Sequence, residues 1–264
     1  MITIAKLKEK KSAGEKLTCL TAYDASFSAL MHEAGVEILL VGDSLGMVVQ
    51  GKETTLPVTL DEMIYHASAV KRGAPDAFIV VDLPFMSYST PEYALKSAGK
   101  IMKRTGANMV KLEGGEVMLE TVSLLTSRGI PVCAHLGLLP QSVHKTSGYR
   151  VQGKSQPEAI RMLEDAVALE AAGADLIVLE CVPATLAKEI SLQLSIPTIG
   201  IGAGVDCDGQ VLVLYDMLNV TKGKRPRFSK DFMSESDHPS ILDAIKAYVD
   251  EVKSGVFPGQ EHSF

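Results

Sequence analysis

Along most of the 264 residues, short unbroken apolar runs alternate with longer stretches in which apolar residues recur every three or four positions. The runs are too brief for helices and stop at turn formers, the pattern of strands buried on both faces. The periodic stretches predict helices with one buried stripe. After a charged helical start over 1–14, strands are expected at 16–22, from Glu37 up to Gly42, and at 77–82, 108–114, 131–137, 175–181, 197–202 and 211–216. Between them, Asp24 caps a helix with Phe27, Leu30, Met31 and Ala34 on one stripe, and further helices are expected at 59–71, 91–104, 117–127, 157–172 and 184–194. An amphipathic tail helix carries Ile241, Leu242, Ile245, Tyr248, Val249 and Val252.

Eight strands alternating with helices predict a closed (β/α)8 TIM barrel, whose usual size of about 250 residues fits. A doubly wound open sheet is the alternative, but it carries its glycine fingerprint after the first strand. Here Gly200, Gly202 and Gly204 come near the seventh, without G-x-G-x-x-G spacing. With 46% apolar residues and no break in composition, 1–264 is expected to be a single domain.

The net charge of −6 is spread without a basic block, which makes nucleic acid and anionic membranes poor partners. The charged start is not signal-like, and no apolar stretch reaches about 18 residues, so a soluble, cytoplasmic protein is expected. Cys19, Cys133, Cys181 and Cys207 are widely separated, which argues for reduced thiols and against a zinc ribbon.

Candidate chemistry lies where the strands end. Gly35 leads through an apolar run to Asp43, Gly73 to Asp82, Gly106 to Glu113 and Gly173 to Glu180. In a barrel such groups converge at the C-terminal mouth. Strand alternation turns Lys111 and Glu113 to one side, and Val178 and Glu180 likewise, while His135 holds the matching place on strand five. Carboxylates pressed together repel unless a cation neutralises them, and an all-oxygen donor set favours Mg²⁺. Such an ion can chelate a 2-oxo acid and acidify its α-proton, with Lys111 offsetting the remaining negative charge. Glu180, apart in sequence from the other acids, is the candidate general base.

Blander readings exist for each. A strand-end Asp often caps a turn, as Asp82 before Pro84 can, and His135 fits core hydrogen bonding as well as substrate contact. The connections 46–59 and 138–156 are long enough to be a binding loop and a lid. Gly42-Asp43-Ser44-Leu45 also spells the block of the GDSL hydrolases, with Ser44 as nucleophile. That reading needs Asp-x-x-His near the C-terminus, where Glu235 stands at that spacing from His238 and Asp237 is adjacent. It leaves the strand-end acids unexplained.

Taken together, TAYD (21–24), LLVGDSLGMVVQG (39–51), TLPVTLDEM (55–63), VVDLPFMSY (80–88), ANMVKLEGG (107–115), HLGLLPQSV (135–143), LECVP (179–183) and IGIGAG (199–204) resemble the ketopantoate hydroxymethyltransferases over essentially the whole chain. The resemblance implies magnesium-dependent transfer of a one-carbon unit from 5,10-methylenetetrahydrofolate to 3-methyl-2-oxobutanoate, giving 2-dehydropantoate in pantothenate synthesis. By motif it assigns Asp43, Asp82 and Glu113 to the metal, Asp43, Ser44, Asp82 and Lys111 to the oxo acid, and proton abstraction to Glu180. It further implies a fold like the phosphoenolpyruvate mutase and isocitrate lyase barrels and a homodecamer. A carbon–carbon lyase or mutase of those related barrels would use the same magnesium chemistry without folate, and a non-catalytic scaffold would bind neither metal nor oxo acid.

Overall fold

The computed structural model describes residues 1–264 except 146, 147, 149, 224 and 235–239. Helix α1 (Ile4–Ser12) precedes β1 (Leu17–Thr21), α2 (Ala25–Glu33) and β2 (Ile38–Val41). The connection after β2 holds a short helix, α3 (Leu45–Val48), and then come α4 (Leu60–Gly73), β3 (Phe78–Asp82), α5 (Pro91–Thr105) and β4 (Met109–Glu113). Next are α6 (Leu119–Ser127), β5 (Val132–Gly137), α7 (Gln156–Ala171), β6 (Leu176–Glu180), α8 (Ala184–Gln193) and β7 (Thr198–Ile201). The described chain closes with β8 (Gly209–Leu212), α9 (Leu214–Met217) and α10 (Ile241–Ser254). All eight strands pair in parallel with their chain neighbours, and β8 returns to β1, so the sheet is a closed barrel.

Local chemistry fixes the helix starts. Asp24 accepts from the N–H groups of Ser26 and Phe27, Thr59 and Glu62 form a capping box, and Thr90 caps α5 just before Pro91. The eighth strand differs from expectation: it ends at Leu212 rather than running to 216. Thr21 Oγ1 accepts a hydrogen bond from Leu214 N, and the chain turns into α9, so Asp216 is a helical residue and not a strand-end acid.

Two apolar cores follow from the period of two. Outward-facing Leu39, Val41, Ile79 and Val81 pack against the helices, while Leu17, Ile38, Phe78, Met109, Leu176 and Ile199 fill the barrel. Leu7 of α1 belongs to that inner core and closes its N-terminal end. Followed along β3 to β6, the inward row changes from apolar at this end to ionisable at the other. All four cysteines are buried free thiols.

Candidate active site

The inward row ends in Asp82, Lys111, Glu113, His135 and Glu180, and the turn after β2 adds Asp43 and Ser44; all line one cavity of about 660 Å³. Strand register sets Asp82 opposite Lys111, Glu113 opposite His135 and Gly137 opposite Glu180. A Cβ on Gly137 (φ +95°) would lie 2.1 Å from the Glu180 carbonyl oxygen, so glycine lets β5 pass close beside the Glu180 backbone.

Lys111 Nζ donates to Asp82 Oδ1 at 2.7 Å, and both side chains are almost wholly buried. The second Asp82 oxygen accepts from the backbone N–H of Asp43 at 3.1 Å, joining the two aspartates directly. Burial pulls the Lys111 ammonium toward neutrality, but Asp82, Glu113 and Asp43 outweigh it and hold the amine protonated. Asp43 behaves in the opposite way. Burial, then the charges of Asp82 and Glu113, push its carboxyl well above the usual range.

His135 sits between two acids, with Nδ1 3.6 Å from Glu113 Oε1 and Nε2 3.3 Å from Glu180 Oε2. Neither contact has hydrogen-bond geometry, so the attraction is chiefly electrostatic. Burial and Lys111 lower the imidazole's pKa, the two carboxylates outweigh them, and the net shift is upward. For Glu113, burial raises the carboxyl, while His135, Lys111 and the Gln141 N–H bring it below its ordinary value.

Ser44 shares a hydrogen bond of 2.9 Å with Tyr23, whose phenol burial keeps protonated. Among the described residues no histidine pairs with Ser44, and Glu235, Asp237 and His238, which the hydrolase reading needs, lie outside the described residues.

Gln141 is the residue that sequence reasoning missed. Its Nε2 donates to Asp43 Oδ2 (2.8 Å) and the Leu83 carbonyl (3.0 Å), its backbone N–H donates to Glu113 (3.1 Å), and its Oε1 accepts from Tyr88 (2.5 Å). A glutamine in a polar connection reads as solvated, and only its neighbour Pro140 marks a local turn. The first part of 138–156 is therefore fixed to the acids as part of the floor, and Arg150 and Val151 reach the rim. Residues 146, 147 and 149 of this candidate lid lie outside the described residues. From 46–59, Met47, Lys52 and Thr55 line the same cavity.

Among the described residues no three His, Cys, Asp or Glu side chains form a ready-made metal cage. The donors still suit a hard cation. Among the described residues Lys111 is the one buried permanent cation beside Asp43, Asp82 and Glu113, and Mg²⁺ characteristically takes one or two carboxylates and completes its shell with water.

Comparison with known proteins adds two findings. The solved structures of phosphonopyruvate hydrolase in complex with oxalate and Mg²⁺ (TM-score 0.62, 13% identity, covering 97% of this chain and 98% of that one) and of 2,3-dimethylmalate lyase, a PEP mutase/isocitrate lyase superfamily member (0.56, 15%, 98% and 100%), share the barrel fold. In sequence, the 3-methyl-2-oxobutanoate hydroxymethyltransferases of Paraburkholderia xenovorans (57% identity over 263 residues, 100% of this chain and 96% of the relative) and Idiomarina loihiensis (57% over 262, 99% and 97%) align end to end. The model of the ketopantoate hydroxymethyltransferase family matches residues 1–260, and the chain belongs to that family.

Proposed function

We infer that the chain is a 3-methyl-2-oxobutanoate hydroxymethyltransferase of pantothenate biosynthesis, with 5,10-methylenetetrahydrofolate as co-substrate. Full-length family membership supports the activity. The observation that carries the mechanism is the gathering of Asp43, Asp82, Lys111, Glu113 and Glu180 at one mouth. Asp43 and Asp82 would hold Mg²⁺, with Glu113 beside them, and the ion when bound supplies positive charge that makes the α-proton of a 2-oxo acid more acidic.

The chain's own groups do the rest. Lys111, kept charged by its neighbours, meets the negative charge of the oxo acid. Ser44, oriented by Tyr23, offers a hydroxyl to it. Glu180, its side chain 16% exposed against 3% for Glu113, has the open position a base needs and takes the proton from the substrate's branched carbon. Water hydrolyses the folate's methylene bridge, breaking its bonds to both nitrogens, so that tetrahydrofolate leaves with the two protons and the carbon is freed as formaldehyde. The electron pair on the branched carbon adds to that carbonyl carbon, and its oxygen takes up the proton held by Glu180 to become the new hydroxyl. Assembly as a homodecamer belongs to the same reading, and sedimentation of the purified protein checks it.

Replacing Glu180 by Gln keeps the shape and removes the base. The expected result is retained oxo-acid binding by calorimetry and a loss of α-proton exchange with deuterated water of about 10²–10⁴-fold. Unchanged exchange rejects the assignment.

A further inference from the structure

The cavity is divided by charge. Asp43, Asp82 and Glu113 lie buried on the floor, whereas Arg150, Lys222 and Arg227 stand exposed at the rim. None of these three has a carboxylate partner among the described residues. The Arg227 Nε donates to the Glu261 carbonyl (2.9 Å), and its guanidinium lies 5.2 Å from the centroid of the Phe264 ring. Unpaired cations beside an acid-lined floor await an anion that the floor itself would repel.

An apolar wall adjoins them. Phe228 and Phe264 pack over Gly202 (φ +61°), where an added Cβ would come within 3.0 Å of the Phe264 ring and 3.1 Å of Phe228. Both rings are half-buried and line the cavity. The wall is anchored beside the candidate base. Glu180 is in register with Ile201, Cys181 N donates to the Ile201 carbonyl at 2.8 Å, and Ala184 N donates to the Phe264 carbonyl at 2.8 Å. A ligand held against these rings therefore has its reacting end next to Glu180.

Size points the same way. At about 660 Å³ the cavity falls in the range of drug-sized ligands. A branched oxo acid held by Lys111 and the floor leaves most of it free. The second occupant must be larger, partly aromatic, and anionic at the end away from the chemistry.

We propose that this rim is the folate subsite: Arg150, Lys222 and Arg227 receive the carboxylates of the glutamate tail, and the wall of Phe228 and Phe264 receives the aromatic portion. The assignment rests on the hydroxymethyltransferase reading and names residues for the half of the reaction that the floor does not explain.

The experiment separates the two half-reactions. Lys222→Glu combined with Arg227→Gln is expected to raise KM for 5,10-methylenetetrahydrofolate about tenfold or more, the loss expected for charge-assisted pairs. Folate-free α-proton exchange of 3-methyl-2-oxobutanoate remains, because the oxo acid is held elsewhere. An unchanged KM overturns the proposal. The unaltered enzyme supplies a test independent of folding. A pentaglutamyl co-substrate should have a KM about fivefold or more below the monoglutamyl form at low salt, and the gap should close at high salt as the charges are screened. Equal KM values for the two forms at low salt also overturn it. Absence of exchange and of transfer in the unaltered enzyme would instead reject the hydroxymethyltransferase reading beneath it.

Discussion

Lys111 and Asp82 illustrate how far a single buried pair reaches. Lys111 interrupts an apolar strand, and its ammonium is tolerated because Asp82 meets it directly across the sheet register. Lys111→Met would leave the Asp82 carboxylate buried without its cation, and breaking such a pair costs about 3–5 kcal/mol. Urea denaturation should show that loss, and oxo-acid binding should fall with it. Lys111→Arg, which keeps the charge, should recover part of the stability. Gln141 is the subtler case. Gln141→Leu removes the donor to Asp43 and the acceptor of Tyr88, and should weaken Mg²⁺-dependent oxo-acid binding about tenfold, the effect of losing one hydrogen bond to a charged group. Calorimetry checks this.

Elements are held by contacts that the apolar pattern foreshadows only in part. The tail stripe carrying Ile245, Tyr248 and Val252 marks a buried face, and α10 indeed buries all three. What the stripe does not reveal is that the Tyr248 hydroxyl lies 2.9 Å from the Cys19 carbonyl and 2.8 Å from that of Gln210, one on each side of the β1–β8 seam that closes the barrel. Tyr248→Phe strands those carbonyls and should cost about 1–3 kcal/mol of stability in thermal denaturation. A second element contact carries a pH dependence. Glu170, at the end of α7, accepts from Ser195 N, Ser195 Oγ and Ile196 N. Burial raises its carboxyl, but those bonds and Lys11 bring it below its ordinary value. A depressed folded pKa means that the contribution is present above the unfolded value of about 4.3 and is lost as pH falls through the folded one. Glu170→Gln should therefore destabilise by about 1 kcal/mol at neutral pH, moderated by solvent screening, with the difference from the native protein shrinking in acid. Denaturation curves at the two pH values check it.

The barrel was legible in the sequence because burial on both faces leaves continuous apolar runs, and alternation told which strand residues share a side. The eighth strand was misjudged at its end because Val211, Leu212, Val213 and Leu214 are apolar whether strand or helix, and only the bond from Leu214 N to Thr21 Oγ1, a contact across 193 positions, decides. Gln141 was invisible for a related reason: nothing within its own stretch signals partners that lie 98 and 28 residues away. Local pattern reports which face is buried, and pairing across the fold reports what meets there.

At the scale of the whole molecule, the account has the acids of three strands and of the turn after β2 drawn into one mouth that binds a cation and an oxo acid together. Binding to the folded state alone raises stability by mass action, so Mg²⁺ with 3-methyl-2-oxobutanoate at about a hundredfold excess over Kd should add about 2.7 kcal/mol, and a chelator should abolish most of it. A thermal shift series reads this directly. The central claim is that the mouth removes the α-proton and then joins that carbon to a one-carbon unit supplied by a folate. Its most direct measurement is an NMR time course of the native enzyme with 3-methyl-2-oxobutanoate in deuterated water, before and after addition of 5,10-methylenetetrahydrofolate. The account predicts α-proton loss in the first interval and 2-dehydropantoate only in the second; no exchange in the first, or 2-dehydropantoate formed without the folate, would contradict it.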